Sequence, residues 1–397
     1  MTRNLLVLGA GRGQIGLIRA GQRLGYHVSV ASMSQSNPPG ISVADDWIDV
    51  DIADPESVLE ACQGRSFDGV ATACMDTALR SLGALADATG VQGLSYEAAK
   101  ACSDKITMKG LFERAGVLTA RSCVIDLDGD ADPEVFQALH LPLVVKAPHL
   151  QGSAGIFICQ TLEDVHGALH ELRSQGGARC VIVEEFVAGV EFGAQAIVVD
   201  GVVLDVQCHG DETVLRHTAV PVAHFLPSSL PQEIEARARE QVVTAIQALG
   251  LDNCVVNADL IASGDDVYVI EITGRAGANC LPELMSAYYG FDYYELVARI
   301  AMNDDPMSLW ESRSVHDGAL YAGMLYSQTQ RGTVSALSMS ASADVLHAQL
   351  FIQLGSHIQP FETSHDCIGE VLVQGDSLAQ CRDTLKAFEN GLVLDVR

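Results

Sequence analysis

Hydrophobic and polar positions along the first hundred residues alternate between two periods. The apolar run Leu5–Leu8 reads as a buried strand, and Gly16–Leu24 repeats its apolar residues at helical spacing. Val28–Ala31, Trp47–Val50 and Val70–Ala73 read as further strands, and Pro55–Cys62 and Thr77–Thr89 as helices. This strand–helix alternation predicts a parallel, doubly wound sheet. A helix-rich bridge, Ser95–Ala115, follows.

From Ser122 to about Glu171 the predicted elements are shorter, with the strand Leu143–Lys146 at their centre. Val181–Glu184, Glu191–Val199 and Val202–Gln207 read as strands, and Asp200-Gly201 is a strong hairpin signal. Beyond it, Cys208–Val222 reads as a polar connection. Pro227–Pro231 is turn-rich, and Gln232–Leu249 is an amphipathic helix. Val255–Ile261 and Val267–Ile272 form a second hairpin, and a helix ends near Met302. From Gly318 the pattern changes to short strands (Leu320–Tyr326, Val371–Gln374), a helix (Ser377–Phe388) and a last strand, Leu392–Val396. The chain therefore reads as α/β followed by α+β, in two to three domains over its 397 residues.

The 48% apolar content supplies large cores. Mean hydropathy is positive, yet no run of about 18 apolar residues is uninterrupted. The chain opens directly on a strand pattern, so a soluble, cytoplasmic protein with neither membrane nor signal segment is expected. A formal charge of −27 argues against nucleic acid as a partner, because phosphate backbones attract basic faces. The 11 cysteines are scattered without a C-x-x-C pair, mostly in apolar runs, and read as reduced core residues.

Gly11-x-Gly13-x-x-Gly16 stands between a strand and a helix, as in dinucleotide-binding folds. Such folds also need an acid after the second strand to hold the ribose, and Val30-Ala31-Ser32-Met33-Ser34 has none. A turn offering backbone N–H groups at Gly11 and Gly13 to a carboxylate substrate is the better reading, with a purely structural turn as the alternative.

The chemistry concentrates further along. Lys146 ends a buried apolar strand and needs an anion or an exit to solvent. The loop after it carries Gly152, Ser153 and Gly155, whose backbone can close over phosphates; a plain hairpin turn is the alternative. Lys105 pairs with it as a phosphate candidate, although alone it is an ordinary helix lysine. Glu184, Glu185 and Val187 close a β-branched run suited to reading an adenine edge, and Glu191 suits ribose hydroxyls; either region is equally a solvated surface. Asp259 and Glu271 lie inside apolar strands, where an unpaired carboxylate is costly, so a divalent metal or a salt bridge to Arg275 should neutralise them.

Taken in order, Asp104-Lys105, Lys146, the glycine loop, Glu184 to Val187, Glu191, Asp259, Glu271 and Arg275 resemble the ATP-grasp ligases, in the branch related to biotin carboxylase and carbamoyl-phosphate synthetase. The stretch Gly274–Glu283 is most similar to the amino-acid ligase-like members. The resemblance implies an ATP-grasp fold: a Rossmann-like N-terminal lobe over 1–93, a helical bridge and central subdomain over 94–180, a nucleotide and metal subdomain over 181–317, and a small C-terminal lobe over 318–397. It implies ATP and Mg2+ (or Mn2+) as cofactors, with Lys105 and Lys146 on phosphates, Glu184 and Val187 at adenine and Glu191 at ribose. Asp259, Glu271 and Thr273 would hold metal, and Arg275 would steady an acyl phosphate. Two departures stand out: Thr273 replaces a customary Asn, and Asp259 a commoner Glu.

Arg216 and His217, with His209 nearby, are candidate catalytic or substrate-facing cations; an incidental polar loop is the alternative. Substrate would meet Gly11, Gly13, Asp76, His209 and Gly277. The expected reaction joins a small carboxylate to an amine through an acyl phosphate, releasing ADP and phosphate. Competing readings are a carboxyphosphate-using carboxylase, a non-catalytic nucleotide-binding protein, and, distantly, a dinucleotide oxidoreductase. A homodimer is common among such relatives.

Overall fold

The structure, a computed structural model, describes residues 2–128, 138–148, 155–175, 179–215, 219–339 and 342–397. Its N-terminal part contains β1 (Asn4–Leu8), α1 (Ile15–Arg23), β2 (His27–Ala31), β3 (Asp46–Ile48), α2 (Pro55–Ala61), β4 (Gly69–Ala71) and α3 (Leu79–Thr89). The strands form a parallel sheet in the order β3-β2-β1-β4. Leu5, Leu6, Val7 and Leu8 are fully buried, because helices cover both faces of such a sheet. Two helices lead out of it, α4 (Tyr96–Cys102) and α5 (Lys105–Ala115). Asp104 caps α5 by accepting from the Ile106 and Thr107 amides at 2.9 and 3.1 Å, which sets Lys105 at the first helical position.

The next unit has β5 (Ser122–Asp126), β6 (Leu143–Lys146), β7 (Ile156–Cys159), α6 (Leu162–Gln175) and β8 (Cys180–Glu185). Its antiparallel sheet runs β5-β8-β6-β7, with a core of Leu143, Val145, Val165, Leu169, Val181 and Val183. A boundary after residue 180 would cut β8 away from β5 and β6, to which it is hydrogen bonded.

The remaining chain forms β9 (Val190–Val199), β10 (Val202–Leu215), β11 (Ala219–Leu226), α7 (Gln232–Leu249), β12 (Cys254–Ser263), β13 (Asp266–Thr273), α8 (Leu281–Tyr289), α9 (Tyr293–Ala301) and α10 (Met307–Glu311). It ends with β14 (Ala319–Leu325), β15 (Gly332–Ser338), β16 (Val345–Leu350), β17 (His357–Ile358), β18 (Gly369–Gly375), α11 (Leu378–Gly391) and β19 (Val393–Val396). An eight-stranded antiparallel sheet runs β13-β12-β9-β10-β11-β14-β18-β16, and β17-β15-β19 is a separate small sheet. Asp200 and Gly201, both at positive φ, make the tight β9–β10 turn.

Two expectations change here. Cys208–Val222 is not a connection: β10 continues to Leu215 and pairs with β11. Among the described residues, His209 and Asp211 alternate with Gly210 along β10 and so share one face. The C-terminal segment, expected as a lobe of its own, contributes β14, β16 and β18 to the large sheet through the β11–β14 pairing. Its own core, including Tyr321, Val371, Val373 and Phe388, lies at that end.

Strand alternation gives the large sheet two unlike faces. Phe192, Ala194, Ala196, Val206, Cys208, Val256, Ala258 and Leu260 join one apolar core with Ala238, Val242, Ala245 and Ile246 of α7. The opposite face at the same strands carries polar side chains, and these build the site. Among the described residues, no helix is long and apolar enough to cross a membrane.

Candidate active site

Two polar rows cross the large sheet. In one, Glu271, Asp259, Gly193 and His209 stand side by side on β13, β12, β9 and β10. In the next, Thr273, Asn257, Gln195 and Gln207 do the same. Asp259 and Glu271 are thus directly opposed and share one face, two carboxylates within the reach of a single divalent ion. Asp259 opens into the cleft. The protein walls that strip water from it, with Glu271 and Asp211, raise its carboxyl to about 6, against the pull of Arg275 and the Asn257 amide.

A chain of hydrogen bonds positions this carboxylate. The Gly277 amide donates to Gln195 Oε1 (3.1 Å), Gln195 Nε2 to Asn257 Oδ1 (2.6 Å), and Asn257 Nδ2 to Asp259 Oδ1 (3.2 Å). Gly277 must be glycine, since a Cβ there would lie 2.4 Å from Leu281 and 2.6 Å from Asn257 Oδ1. Thr273 is buried, and its hydroxyl has no hydrogen-bond partner among the described residues. An orphaned oxygen beside two opposed carboxylates fits a cation. Asn257 faces Thr273 across the pair, so an amide stands beside the hydroxyl after all.

α5 brings cations to both sheets. Lys105 Nζ lies 2.9 Å from Glu271 Oε1. Burial opposes its charge, but Glu271, Asp76 and Asp259 outweigh burial and raise its pKa. One turn on, Lys109 Nζ is 3.2 Å from Glu184 Oε1, while Lys146 Nζ donates to Glu184 Oε2 at 2.7 Å. All three are buried. Burial alone would push the Glu184 carboxyl up; the two lysines hold it low instead. Burial lowers the Lys109 pKa despite Glu184.

Arg275 is fixed to the N-terminal part. Its Nε and Nη2 donate to the two oxygens of Asp76 at 2.6 and 2.7 Å, a bidentate pair. Burial opposes the Arg275 charge and Asp76 more than restores it. Asp76, expected at the substrate, is therefore the anchor of Arg275. Glu185 is paired instead with His140 (2.9 Å) and Arg121 (3.3 Å). The Gly13 position is filled by protein: a Cβ would lie 2.7 Å from Cys74 Cβ. Gly11 approaches Gln14 Oε1 in the same way, at 3.1 Å. Val187 is half-buried in the β8–β9 connection, and Glu191 is exposed on the polar face. Gly155 closes the β6–β7 loop at φ 66, its carbonyl accepting from the Ala147 amide. Gly152, Ser153, Arg216 and His217 lie outside the described residues.

Residues that the sequence reading passed over complete the picture. Lys109 lies four positions after Lys105 on one helix face, and Asn257 two before Asp259 on one strand face; both periods were available. Asp211 and His224 escaped notice because their strands were read as a connection.

The family model described as ATP-grasp domain matches residues 139–283. The crystal structure of phosphoribosylglycinamide synthetase from Anaerococcus prevotii superposes with a TM-score of 0.87 at 36% identity, covering 100% of both chains. The chain belongs to the ATP-grasp family. It is an ATP-dependent ligase of that family. The ATP-grasp fold is shared with L-amino acid ligase from Bacillus licheniformis, with a TM-score of 0.83 at 18% identity over 100% of this chain and 99% of that one. D-alanine–D-alanine ligase from Desulforudis audaxviator is 28% identical over 207 residues, 50% of this chain and 67% of that protein. Alanine–anticapsin ligase from Bacillus amyloliquefaciens is 25% identical over 232 residues, and the match spans only 48% of its length.

Proposed function

We propose that this ATP-grasp ligase joins a small amino acid or related carboxylic acid to an amine, forming ADP and phosphate by way of an acyl phosphate. The observation that carries the reading is the row of opposed carboxylates, Asp259 and Glu271, flanked by Lys105 and Arg275. D-alanine–D-alanine ligase and alanine–anticapsin ligase among the relatives support an amino acid as substrate.

Asp259, Glu271 and Thr273 would hold Mg2+, which supplies neutralisation of the triphosphate charge. Lys105 and Lys146 would bind phosphate oxygens, and each is now held by an acid that ATP would displace it from. Glu184, Val187 and Glu191 would meet the adenosine. Arg275, rigid because Asp76 holds two of its nitrogens, would face charge growing on the acyl group. Gln195 and Gly277 place the loop that would border the carboxylate substrate.

Phosphate release measured across a matrix of amino acids and carboxylic acids tests this. ADP and phosphate should form only when acid and amine are both present, and Glu271→Gln should abolish release with the fold intact. Undiminished turnover in that variant removes Glu271 as a metal ligand, and ADP formation that depends on bicarbonate alone replaces the ligase reading with a carboxylase.

A further inference from the structure

His209, Asp211 and His224 form a buried unit on the polar face, at the end of the row that begins with Glu271. His209 and Asp211 are two apart on β10, and His224 lies opposite Asp211 on β11. Nδ1 of His209 is 2.8 Å from Asp211 Oδ1, and Nδ1 of His224 is 2.6 Å from the same oxygen. Burial would raise the Asp211 carboxyl, but the two histidines outweigh it and hold the group well below the usual carboxylate range. An ionised carboxylate only accepts, so each Nδ1 carries a hydrogen. In the neutral ring, Nε2 is then the acceptor.

Both rings are nine-tenths buried or more, and both Nε2 atoms lack a hydrogen-bond partner among the described residues. A buried ring nitrogen without a protein partner is suited to meeting a polar group of a ligand. The direction of His209 is set by Gly193. A Cβ on that glycine would lie 2.3 Å from His209 Cε1 and 2.6 Å from Nε2. The ring therefore leans across β9 with its Cε1–Nε2 edge leading, toward the strand that carries Asp259. Asp211 is close enough to help raise the Asp259 carboxyl, so the unit and the metal-competent pair share one field. The charged groups facing His209 are Asp211 on its own strand, His224 on β11, Glu191 on β9, Asp259 on β12 and Glu271 on β13.

We propose that His209 Nε2 accepts the proton of the amine nucleophile, with Asp211 and His224 as positioning residues. The proposal rests on the ligase reading above. The substrate ammonium passes one proton to Nε2, and the resulting imidazolium keeps its Nδ1–H on Asp211. The freed lone pair attacks the acyl carbon; the C–N bond forms and the C–O bond to phosphate breaks. The second proton on nitrogen leaves with the departing phosphate, giving amide and hydrogen phosphate. Asp211 fixes the tautomer and stabilises the charge, the role a buried carboxylate plays beside other catalytic histidines.

Hydroxylamine separates this from every structural role, because it is unprotonated at neutral pH and traps acyl phosphates as hydroxamates without a base. In His209→Gln, amine ligation should fall by about 10²–10⁴-fold, while hydroxamate formation from carboxylate, ATP and hydroxylamine stays within about twofold. The loss should shrink as the pH rises and the amine deprotonates by itself. Asp211→Asn, which lets the ring turn over, should give the same split in smaller measure and serves should His209→Gln fail to fold. Equal loss of both reactions would assign His209 to ATP or phosphate, and unchanged ligation would place the base elsewhere; either overturns the proposal. Absence of hydroxamate in the parent protein overturns the ligase reading itself.

Discussion

Asp259 shows how one carboxylate couples binding to stability. Its folded pKa, about 6, lies above its ordinary value of 3.8. A raised acid contributes stability that is present below the ordinary value and lost as the pH climbs through the folded one. Above pH 6 the ion-free protein holds an ionised Asp259 against Glu271 and Asp211. Asp259→Asn should therefore raise the Tm at pH 7.5 and raise it much less at pH 4.5. The same variant should lose any Tm gain that Mg2+ with ADP gives the parent protein, a gain that itself should fade as the pH drops through 6. A Tm rise of equal size at both pH values would show that Asp259 carries no such strain. Thr273 is the complementary case: its buried hydroxyl has no partner among the described residues, which the proposed cation would supply.

At the scale of elements, α5 explains more of the site than any strand. Its cap, Asp104, sets the register, and a spacing of four then sends Lys105 to Glu271 and Lys109 to Glu184. Lys109 and Lys146 both pair with Glu184, so in the proposed function Lys109 would keep Glu184 paired when Lys146 turns to a polyphosphate. Lys109→Met should destabilise the protein by about 3 kcal/mol in denaturant unfolding, since Glu184 loses one of its two buried partners. Lys146→Met, in contrast, should weaken ATP binding more than folding, because Lys109 remains on Glu184. Should the two variants lose stability and ATP affinity in equal measure, this division of labour is wrong.

Across the whole molecule, the cleft depends on contacts between parts distant in sequence. Arg275 and Asp76 are 199 residues apart, yet their bidentate pair ties the large sheet to the parallel sheet. α1 packs on α9, and the Gly16 position is occupied by the Tyr294 ring, 2.2 Å from where a Cβ would be. Gly16 of the glycine motif is thus explained by helix packing across the parts of the molecule. Asp76→Asn should cost about 3 kcal/mol of stability and reduce kcat, because a buried guanidinium loses its counter-charge and its aim. Wild-type kcat in that variant would show that Arg275 needs no anchor.

What the chain alone determined is local. The two periods placed the strands and helices of the N-terminal sheet, the β9–β10 and β12–β13 hairpins and α7, since burial of one face is written into residue spacing. Asp200-Gly201 specified a hairpin because both positions take positive φ. Acids inside apolar strands, Asp259 and Glu271, declared that a counter-charge had to exist. Which counter-charge was decided only by tertiary structure. Glu184 could not name Lys109, nor Arg275 name Asp76, because a buried charge specifies the sign of its partner and not its position along the chain. Cys208–Val222 reads as a connection for the same reason: the polar face shared by His209 and Asp211 exists only once β9, β10 and β11 pair. The His209–Asp211–His224 unit, assembled by that pairing, is the part of the site that no spacing could announce.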